Sequence, residues 1–458
     1  MDIHAYIEQH KARFLEEFQE LLRIPSISTQ PEHANDVKHA GQWVAEQMRQ
    51  IGFEHVELVE TEGLHPLVYG EWLQAGDNAP TVLIYSHYDV QPAVIEDGWD
   101  TPPFEPVIKD GKLFARGSLD SKIHVMAHLK AAETLLATGC PVNLKLLFEG
   151  EEESSGAHVQ AFVQDNSQRL RADVVIVSDG SVPDPQQPVI PYGLRGILAM
   201  ELHVEGPAQD LHSGHYGGTV HNPLQALAEI LAQLHDSNGR VAVPGFYDDV
   251  IELEDEEREV LKQVLPFVEQ EWKTVTRAPQ IWGEKEYTIH ERICARPTLE
   301  INGMAGGYYE TGFKTVLPAR ALAKISCRLV PYQNPQHVYE CVKAYIEKIA
   351  PPSVKIELRA FDHAAPAVLT RYDSTEVQTA LHAYEKAWGV KPLLTREGGS
   401  IPIVTTLQQT LNSPIVLMPF GYKGGRAHGP NEYIIVDMYY KGIETAIYYM
   451  HMLAEERA

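Results

Sequence analysis

The stretch Thr81-Val82-Leu83-Ile84-Tyr85-Ser86-His87-Tyr88-Asp89 joins an apolar run to a His and an Asp. The apolar residues predict a buried strand. His87 and Asp89 are spaced i and i+2, so in extended backbone their side chains point to the same side. A carboxylate commonly holds the second ring nitrogen of a metal-binding His, and Asp89 is a candidate for that role. The same pattern also fits a His that is satisfied at the surface or in the core.

Length and composition limit the classes of protein that this chain can represent. Its 458 residues are enough for two or three domains, and 44% hydrophobic with 22% charged residues is typical of a globular protein in water. The net charge of −25 argues against nucleic acid or an anionic membrane surface as partner. We find neither a signal peptide nor an apolar run long enough to span a bilayer, and the four Cys are scattered without CxxC spacing. We therefore expect a cytoplasmic protein.

Strand and helix patterns alternate in the first part of the chain. The predicted strands are 56–59, 67–69, 81–85, 144–148 and 174–177, and the predicted helices are 3–23, 36–51 and 121–137. The same alternation returns late in the chain, with helices at 373–388 and 436–453 and a strand at 415–418. This order predicts an α/β sandwich with a mostly parallel central sheet, whose ligands bind at the carboxyl ends of the strands.

The pattern changes after Gly193. Residues 197–204 alternate as in a half-exposed antiparallel strand, and further strands are predicted at 299–301, 321–330 and 354–360, with helices at 223–234 and 336–349. The acidic run 252–259 is interpreted as a solvated helix face. These patterns predict an inserted α+β lid or dimerisation domain at 195–364 and a catalytic domain made of 1–194 and 365–458.

Acids and one further His follow other predicted strands or precede predicted helices. They are Asp120, the Glu151-Glu152-Glu153 run, Asp179 and His428. Each also has an ordinary structural interpretation, because Asp120 fits a helix N-cap and the Glu run fits a solvated turn. Together with His87 they form a nitrogen and oxygen ligand set without thiolate, which suits Zn²⁺, Co²⁺ or Mn²⁺. Three carboxylates and one bridging hydroxide would balance two divalent ions about 3.5–4 Å apart.

The motifs, in this order, resemble a family of co-catalytic metallopeptidases. The family includes carnosinase, cytosolic non-specific dipeptidase, aminoacylase, glutamate carboxypeptidase and succinyl-diaminopimelate desuccinylase. The resemblance covers nearly the whole chain and is most specific at residues 86–92, 116–122 and 149–153. The chain length and the stretch Arg396-Glu397-Gly398-Gly399-Ser400-Ile401-Pro402 look most like the dipeptidase branch.

The resemblance implies a role for each member of the ligand set. It implies two divalent metal ions, with Zn²⁺ favoured over Mn²⁺ or Co²⁺, that Asp120 bridges. The remaining ligands would be His87 and His428, one for each metal, with Glu153 in one site and Asp179 in the other. Asp89 would orient His87, and Glu152 would act as general base and acid. The extra acid at Glu151 leaves a slip of one residue open in this assignment.

The resemblance also implies a homodimer with shared active sites. In dimeric relatives, the His of the segment that His212 matches reaches the partner's active site and contacts the oxyanion or substrate. Arg328 would grip the substrate carboxylate, as its planar bidentate donor suits, and Ser400, Gly399 and Thr315 would be further substrate contacts. Without the resemblance, His212 is a loop residue and Arg328 a surface strand residue.

The predicted activity is hydrolysis of the amide bond of a dipeptide or small peptide with a free carboxylate. Two alternatives within the family are an N-acyl-amino-acid amidohydrolase, such as a desuccinylase, and a carboxypeptidase that trims longer peptides. An alternative from another class is an inactive relative that binds peptides, which the intact set of ligands and base argues against.

Overall fold

Helices cover much of the computed structural model, which describes residues 3–154, 156–361 and 364–457. The seven helices predicted from the sequence are all confirmed. The helices of the described residues are α1 Ile3–Leu22, α2 Ala34–Ile51, α3 Lys122–Thr138, α4 Ala157–Asp165, α5 Ser213–Tyr216, α6 Pro223–Leu231, α7 Asp255–Lys262, α8 Leu265–Thr276, α9 Ile289–Cys294, α10 Pro335–Ile349, α11 Thr375–Trp388, α12 Pro402–Leu411 and α13 Val436–Glu456, with 3-10 helices at Pro31–His33, Ile95–Asp97 and Lys423–Gly425.

The strands of the described residues are distributed over several sheets. The strand at 189–194, which is buried along its whole length, and the strand at 393–397 were not predicted from the sequence. The strands are β1 Glu54–Val59, β2 Leu67–Trp72, β3 Thr81–His87, β4 Val107–Lys109, β5 Lys112–Phe114, β6 Asn143–Glu149, β7 Val174–Val177, β8 Ser181–Val182, β9 Val189–Leu194, β10 Gly196–Glu205, β11 Leu211–His212, β12 Thr298–Gly306, β13 Val316–Leu317, β14 Arg320–Leu329, β15 Lys355–Ala360, β16 Val368–Leu369, β17 Leu393–Glu397, β18 Ile415–Leu417, β19 Gly421–Tyr422 and β20 Tyr433–Ile435.

The central sheet has six strands in the order β1-β2-β6-β3-β7-β18. Strand β3 is parallel to β6 and β7, and β18 is parallel to β7, whereas β1 and β2 add antiparallel pairs at one edge. The predicted mostly parallel sheet is therefore confirmed. His87 pairs in register with Glu149, so the carboxyl ends of β3 and β6 lie side by side. The acidic run follows β6 at that edge, and Asp179 follows β7.

Helices pack on both faces of this sheet because its central strands are apolar on both sides. In β3, Val82 and Ile84 belong to the core that α1, α2, α3, α11 and α13 cover. Leu83 and Tyr85 point the other way, into a core shared with α4 and α12. Burying a side chain of this size contributes about 1.5–3 kcal/mol. The alternation fixes the strand register, and with it the position of His87 at the strand end.

A second sheet, in the order β12-β14-β10-β15, lies within the predicted inserted segment. All its neighbouring strands are antiparallel. In β10 the residues Leu198, Met200, Leu202 and Val204 are buried against α6 and α10, and the residues between them are partly exposed. The alternation predicted for 197–204 is thus confirmed, while the domain boundaries at 194 and 365 stay a prediction.

In a three-stranded sheet of order β16-β9-β17, strands β9 and β17 contribute residues to the cavity described below. Helix α7 packs near it, and the interpretation of 252–259 as a solvated face is wrong for Glu257. That carboxylate accepts a hydrogen bond of 2.7 Å from Tyr192 Oη and lies 2.5 Å from Arg396 Nη2. The acidic run therefore includes one residue that ties α7 to β9 and β17.

None of the helices in the described residues has both the length and the apolar character needed to cross a bilayer.

Candidate active site

His87 ends β3 with its side chain fully buried. Its Nδ1 lies 3.3 Å from Asp89 Oδ1, and its Nε2 lies 3.2 Å from Asp120 Oδ1 and 3.9 Å from Asp179 Oδ1. Burial would lower the pKa of His87, but Asp120 and Asp89 outweigh it and raise the pKa well above its usual value. The arrangement is that of an imidazole held on one side by a carboxylate and aimed on the other at a pair of acids.

The Asp89 carboxylate is buried and fastened by three donors. Ser28 Oγ donates to Oδ2 at 2.6 Å, and the backbone N–H groups of Glu152 and Glu153 donate at 3.2 and 3.0 Å. One carboxylate thus fixes both the ring of His87 and the backbone of the acidic run that follows β6. The spacing found in the sequence identified its contact with His87, whereas the other contacts are between distant segments.

Asp120 lies between the two His residues, just before α3. Its Oδ1 faces His87 Nε2, and its Oδ2 lies 3.0 Å from His428 Nε2. Glu153 Oε1 lies 3.1 Å from the same His428 nitrogen. Asp120 and Glu153 hold the pKa of His428 at about 10. The helix N-cap interpretation of Asp120 does not apply, because its carboxylate is directed at the imidazoles.

Two sets of three possible ligand residues occur in which the ligand atoms of each set all lie within 4.8 Å of one another, and Asp120 belongs to both sets. One set is His87, Asp120 and Asp179, and the other is Asp120, Glu153 and His428. Glu153 Oε1 is buried, and His428 Nε2 is the imidazole nitrogen next to it. Burial raises the pKa of Asp179 to about 6. Such crowded carboxylates favour a bound cation, and nitrogen with carboxylate oxygen suits Zn²⁺, Co²⁺ or Mn²⁺.

Glu152 and Glu151 point to different places. Glu152 lines the cavity with Asp120 and Asp179, and burial raises its pKa well above the usual range; His87 opposes the rise, and Asp179 and Glu153 add to it. Glu151 instead accepts the backbone N–H groups of His65 at 3.0 Å and His158 at 2.8 Å. This geometry supports the assignment that starts the functional acids at Glu152.

A cavity of about 260 Å³ opens beside these acids. Gly399 and Ser400 line it. Arg328, which lies on β14, donates a hydrogen bond of 2.8 Å from its Nη1 to Ser400 Oγ. Arg328 thus contacts a residue of the cavity lining without being one of the described lining residues itself, and the substrate contacts expected for Arg328, Ser400 and Gly399 stay a prediction. Burial lowers the pKa of Arg328, which is the direction expected for a cation that lacks a close carboxylate.

His212 and Thr315 lie together but away from the residues that line the cavity. We call residues 210–217 with 315–317 the lid segment. His212 pairs with Val316 across β11 and β13, and Thr315 O accepts the N–H of Ser213 at 3.0 Å. Both side chains are exposed. Within one chain, the lid segment is thus not among the described cavity residues.

Three residues of this region were not singled out by sequence analysis. Glu432 is buried and accepts hydrogen bonds from Arg116 Nη1 at 2.6 Å and from the N–H groups of Gly117, Leu119 and Asp120. Glu397 and Lys423 line the cavity and are 2.9 Å apart. Glu432 follows the selected His428 by four residues, which was the available clue. Nothing in the sequence pairs Glu397 with Lys423.

Comparisons with known proteins agree with this geometry. The model of Peptidase family M20/M25/M40 matches residues 83–451. The chain is 32% identical to the Cys-Gly metallodipeptidase dug1 of Schizosaccharomyces pombe, covering 99% of this chain and 98% of that one. It is 30% identical to the human Beta-Ala-His dipeptidase, covering 98% and 92% of the two chains.

A solved structure gives the same result. The M20 family metallo-carboxypeptidase Sso-CP2 from Sulfolobus solfataricus superposes with a TM-score of 0.85 at 34% identity. The alignment covers 96% of this chain and 99% of the other. The similarity therefore extends over the inserted segment as well as the central sheet.

Proposed function

The chain belongs to peptidase family M20/M25/M40 and is a metal-dependent peptidase of the dipeptidase branch, and we propose that it hydrolyses the amide bond of dipeptides that carry a free carboxylate. The observation that carries the proposal is the pair of ligand sets that share Asp120, with the Glu152 carboxylate in the same cavity. Binding alone would not require an acid of raised pKa beside a ligand cluster.

Two divalent ions, most simply Zn²⁺, would be held by the ligand sets described above. His87, Asp120 and Asp179 would hold one ion, and Asp120, Glu153 and His428 would hold the other. Ions bound there would supply Lewis acidity toward the scissile carbonyl and would lower the pKa of a bound water. Asp89 keeps His87 in the orientation that this requires, through the 3.3 Å contact with its Nδ1.

Glu152 is the group of this chain that moves the proton. It takes a proton from the attacking water and gives it to the leaving amine, so one carboxylate acts first as base and then as acid. Burial raises its pKa, which favours retention of the proton between the two steps. Glu153, one residue later, faces His428 and keeps the role of a ligand.

Charged groups in the cavity lining and next to it would hold the two ends of the substrate. Arg328, with Ser400 and Gly399, binds the substrate carboxylate, because a guanidinium with a hydroxyl beside it offers several donors to one anion. Glu397 also lines the cavity and offers a carboxylate to the free amino group of a dipeptide. This negative group favours a dipeptide over an N-acyl amino acid, which has no ammonium to place there.

A homodimer would complete the site. His212 and Thr315 of the partner's lid segment would reach the cavity, where His212 donates to the oxyanion that forms at the scissile carbonyl. The exposure of both side chains in a single chain supports this proposal. We place the enzyme in the cytoplasm, since its four Cys are free thiols and two of them are buried.

A second candidate activity is that of a carboxypeptidase. It is favoured by the 34% identity to the metallo-carboxypeptidase Sso-CP2. Both activities use a free substrate carboxylate. They differ in whether the cavity accepts a peptide that continues past the position of the dipeptide amino group, next to Glu397.

A substrate panel tests the assignment. The metal-free protein, reloaded with Zn²⁺, Mn²⁺ or Co²⁺, is given Ala-Ala, N-acetyl-Ala-Ala, Ala-Ala-Ala and N-acetyl-Ala, and the amine released is measured. We expect metal-dependent cleavage of Ala-Ala and slow or no cleavage of the two acetylated compounds. Faster cleavage of N-acetyl-Ala-Ala than of Ala-Ala would favour a carboxypeptidase, and cleavage of N-acetyl-Ala alone an acyl-amino-acid hydrolase.

A further inference from the structure

An ion pair faces the cavity at the side of Asp179. Glu397 ends β17, and Lys423 follows β19, which is parallel to β8. Because β8 begins two residues after Asp179, the pair lies on the Asp179 side of the cavity. Lys423 Nζ lies 2.9 Å from Glu397 Oε2, and the two side chains are 23% and 20% exposed. Sequence patterns gave this pair no role, and neither ligand set uses it.

Lys423 keeps its charge in this position. Burial alone would lower the pKa of Lys423, but Glu397 and then Glu271 of α8 outweigh it and raise the pKa. An ammonium has three donors, and Glu397 is its one hydrogen-bond acceptor among the described residues. Donors of Lys423 are therefore left over for a ligand in the cavity.

Glu397 also has capacity left. It accepts the bond from Lys423 through Oε2, and no other described residue donates to its carboxylate. The cavity wall thus presents an anion and a cation side by side. Among the described residues that line the cavity, Lys423 is the one lysine and none is an arginine. A ligand that carries both an ammonium and a carboxylate could place its ammonium against Glu397 and its carboxylate against Lys423.

We propose that Lys423 is a specificity-determining residue that, with Glu397, selects dipeptides whose first residue carries both an ammonium and a carboxylate. The inference rests on the proposed dipeptidase activity. The substrate ammonium meets Glu397, and the carboxylate of an amino-terminal acidic residue meets Lys423. Two substrate types share this chemistry, α-linked dipeptides that begin with Asp or Glu and γ-glutamyl or β-aspartyl dipeptides.

The charge of the side chain of the first residue then determines which dipeptides are preferred. A neutral side chain leaves the Lys423–Glu397 pair as it is, and gains nothing from Lys423. A basic side chain is repelled by Lys423. A hydrogen bond between charged groups contributes on the order of 10- to 100-fold in binding when its geometry is good.

The test compares Glu-Gly with Gln-Gly, which differ in charge but hardly in shape. We measure kcat/KM for both, and for γ-Glu-Gly, with the metal-loaded protein. In the wild type, we expect Glu-Gly, γ-Glu-Gly or both to be preferred over Gln-Gly by about 10- to 100-fold. Lys423→Met should bring this ratio near one, and Lys423→Arg, which keeps the charge, should retain most of it. Lys391→Met is the control, since Lys391 is exposed outside the cavity and its loss should leave every rate unchanged.

Each outcome decides the proposal. A wild-type ratio near one for both glutamyl substrates overturns it whether or not the variants fold. An equal loss of Glu-Gly and Gln-Gly hydrolysis in Lys423→Met also overturns it, because that result assigns Lys423 a purely structural role. Cleavage of no dipeptide at all, in contrast, contradicts the proposed function itself. A ratio that Lys423→Met alone removes supports the selection of acidic first residues.

Discussion

The ligand cluster around Asp120 and the lid segment around His212 are built in opposite ways. In the cluster, side chains from several elements converge on Asp120, where His87 is buried and His428 is exposed, and backbone donors fix Asp89 through the N–H groups of Glu152 and Glu153. In the lid segment, His212 is exposed, and its Nδ1 accepts only a local bond of 3.0 Å from Gly214 N–H among the described residues. The first region is organised by one chain, whereas the second presents its polar groups outward.

We propose that the two regions have separate tasks. Metal binding and proton transfer need positions fixed to within a fraction of an ångström, which a packed sheet edge supplies. Oxyanion contact from a second chain needs an exposed donor that can reach across. We therefore expect substitutions in the cluster and in the lid segment to differ in their effect on metal content and on complementation between chains.

The largest effect is expected for Glu152→Gln. The substitution keeps the size of the side chain and removes the base, so kcat should fall by about 10²- to 10⁴-fold while two metal ions stay bound. The rate is measured on a dipeptide, and the metal by elemental analysis. Glu153→Gln is the matched variant, and it should lose metal. The reverse pattern would mean that the assignment of the acidic run is shifted by one residue.

The next effect is expected for His212→Ala. Loss of an oxyanion donor should lower kcat by about 10²- to 10³-fold with both metals bound. Mixing this protein with Glu152→Gln under conditions that exchange subunits should restore part of the activity, because one mixed site has both residues intact. No recovery in proven heterodimers would show that the lid segment does not act on the partner's site.

A smaller effect is expected for Glu432→Gln, which tests how the cluster is supported. The carboxylate accepts from Arg116 and from three backbone N–H groups, and an amide has one acceptor oxygen for them. Metal affinity should fall by about 10- to 100-fold, measured by competition with a chelator. Glu444→Gln is the control. Glu444 lies on α13 and pairs with His4, so this substitution should leave the metal affinity unchanged. Unchanged affinity in Glu432→Gln would show that Asp120 is positioned without this carboxylate.

The elements with regular apolar periodicity could be predicted from the sequence. The amphipathic helices and the strands that lead to His87 and Asp179 were predicted because each lies in one continuous pattern. Strand β9 was missed because Pro191 and Gly193 interrupt its apolar run, although its whole length is buried. Helix α12, which begins at Pro402, was also not predicted.

Site residues that meet only through contacts between distant segments could not be predicted from the sequence. Glu432 and Arg116 are 316 residues apart, and Lys423 and Glu397 are 26 apart, so no local spacing relates either pair. His87 and Asp89, in contrast, are neighbours on one strand, and their pairing follows from the backbone. The metal ligands became a set only through the order of their motifs, and their roles stay a prediction.

The central claim is that one chain organises two metal ions around Asp120 for the hydrolysis of dipeptides. The measurement that tests it most directly is a titration of the metal-free protein with Zn²⁺, followed by the rate of hydrolysis of Ala-Ala. We predict that the rate rises to a break at two equivalents per chain, and that a chelator abolishes it. A break at one equivalent, or full activity in the presence of the chelator, would contradict the account.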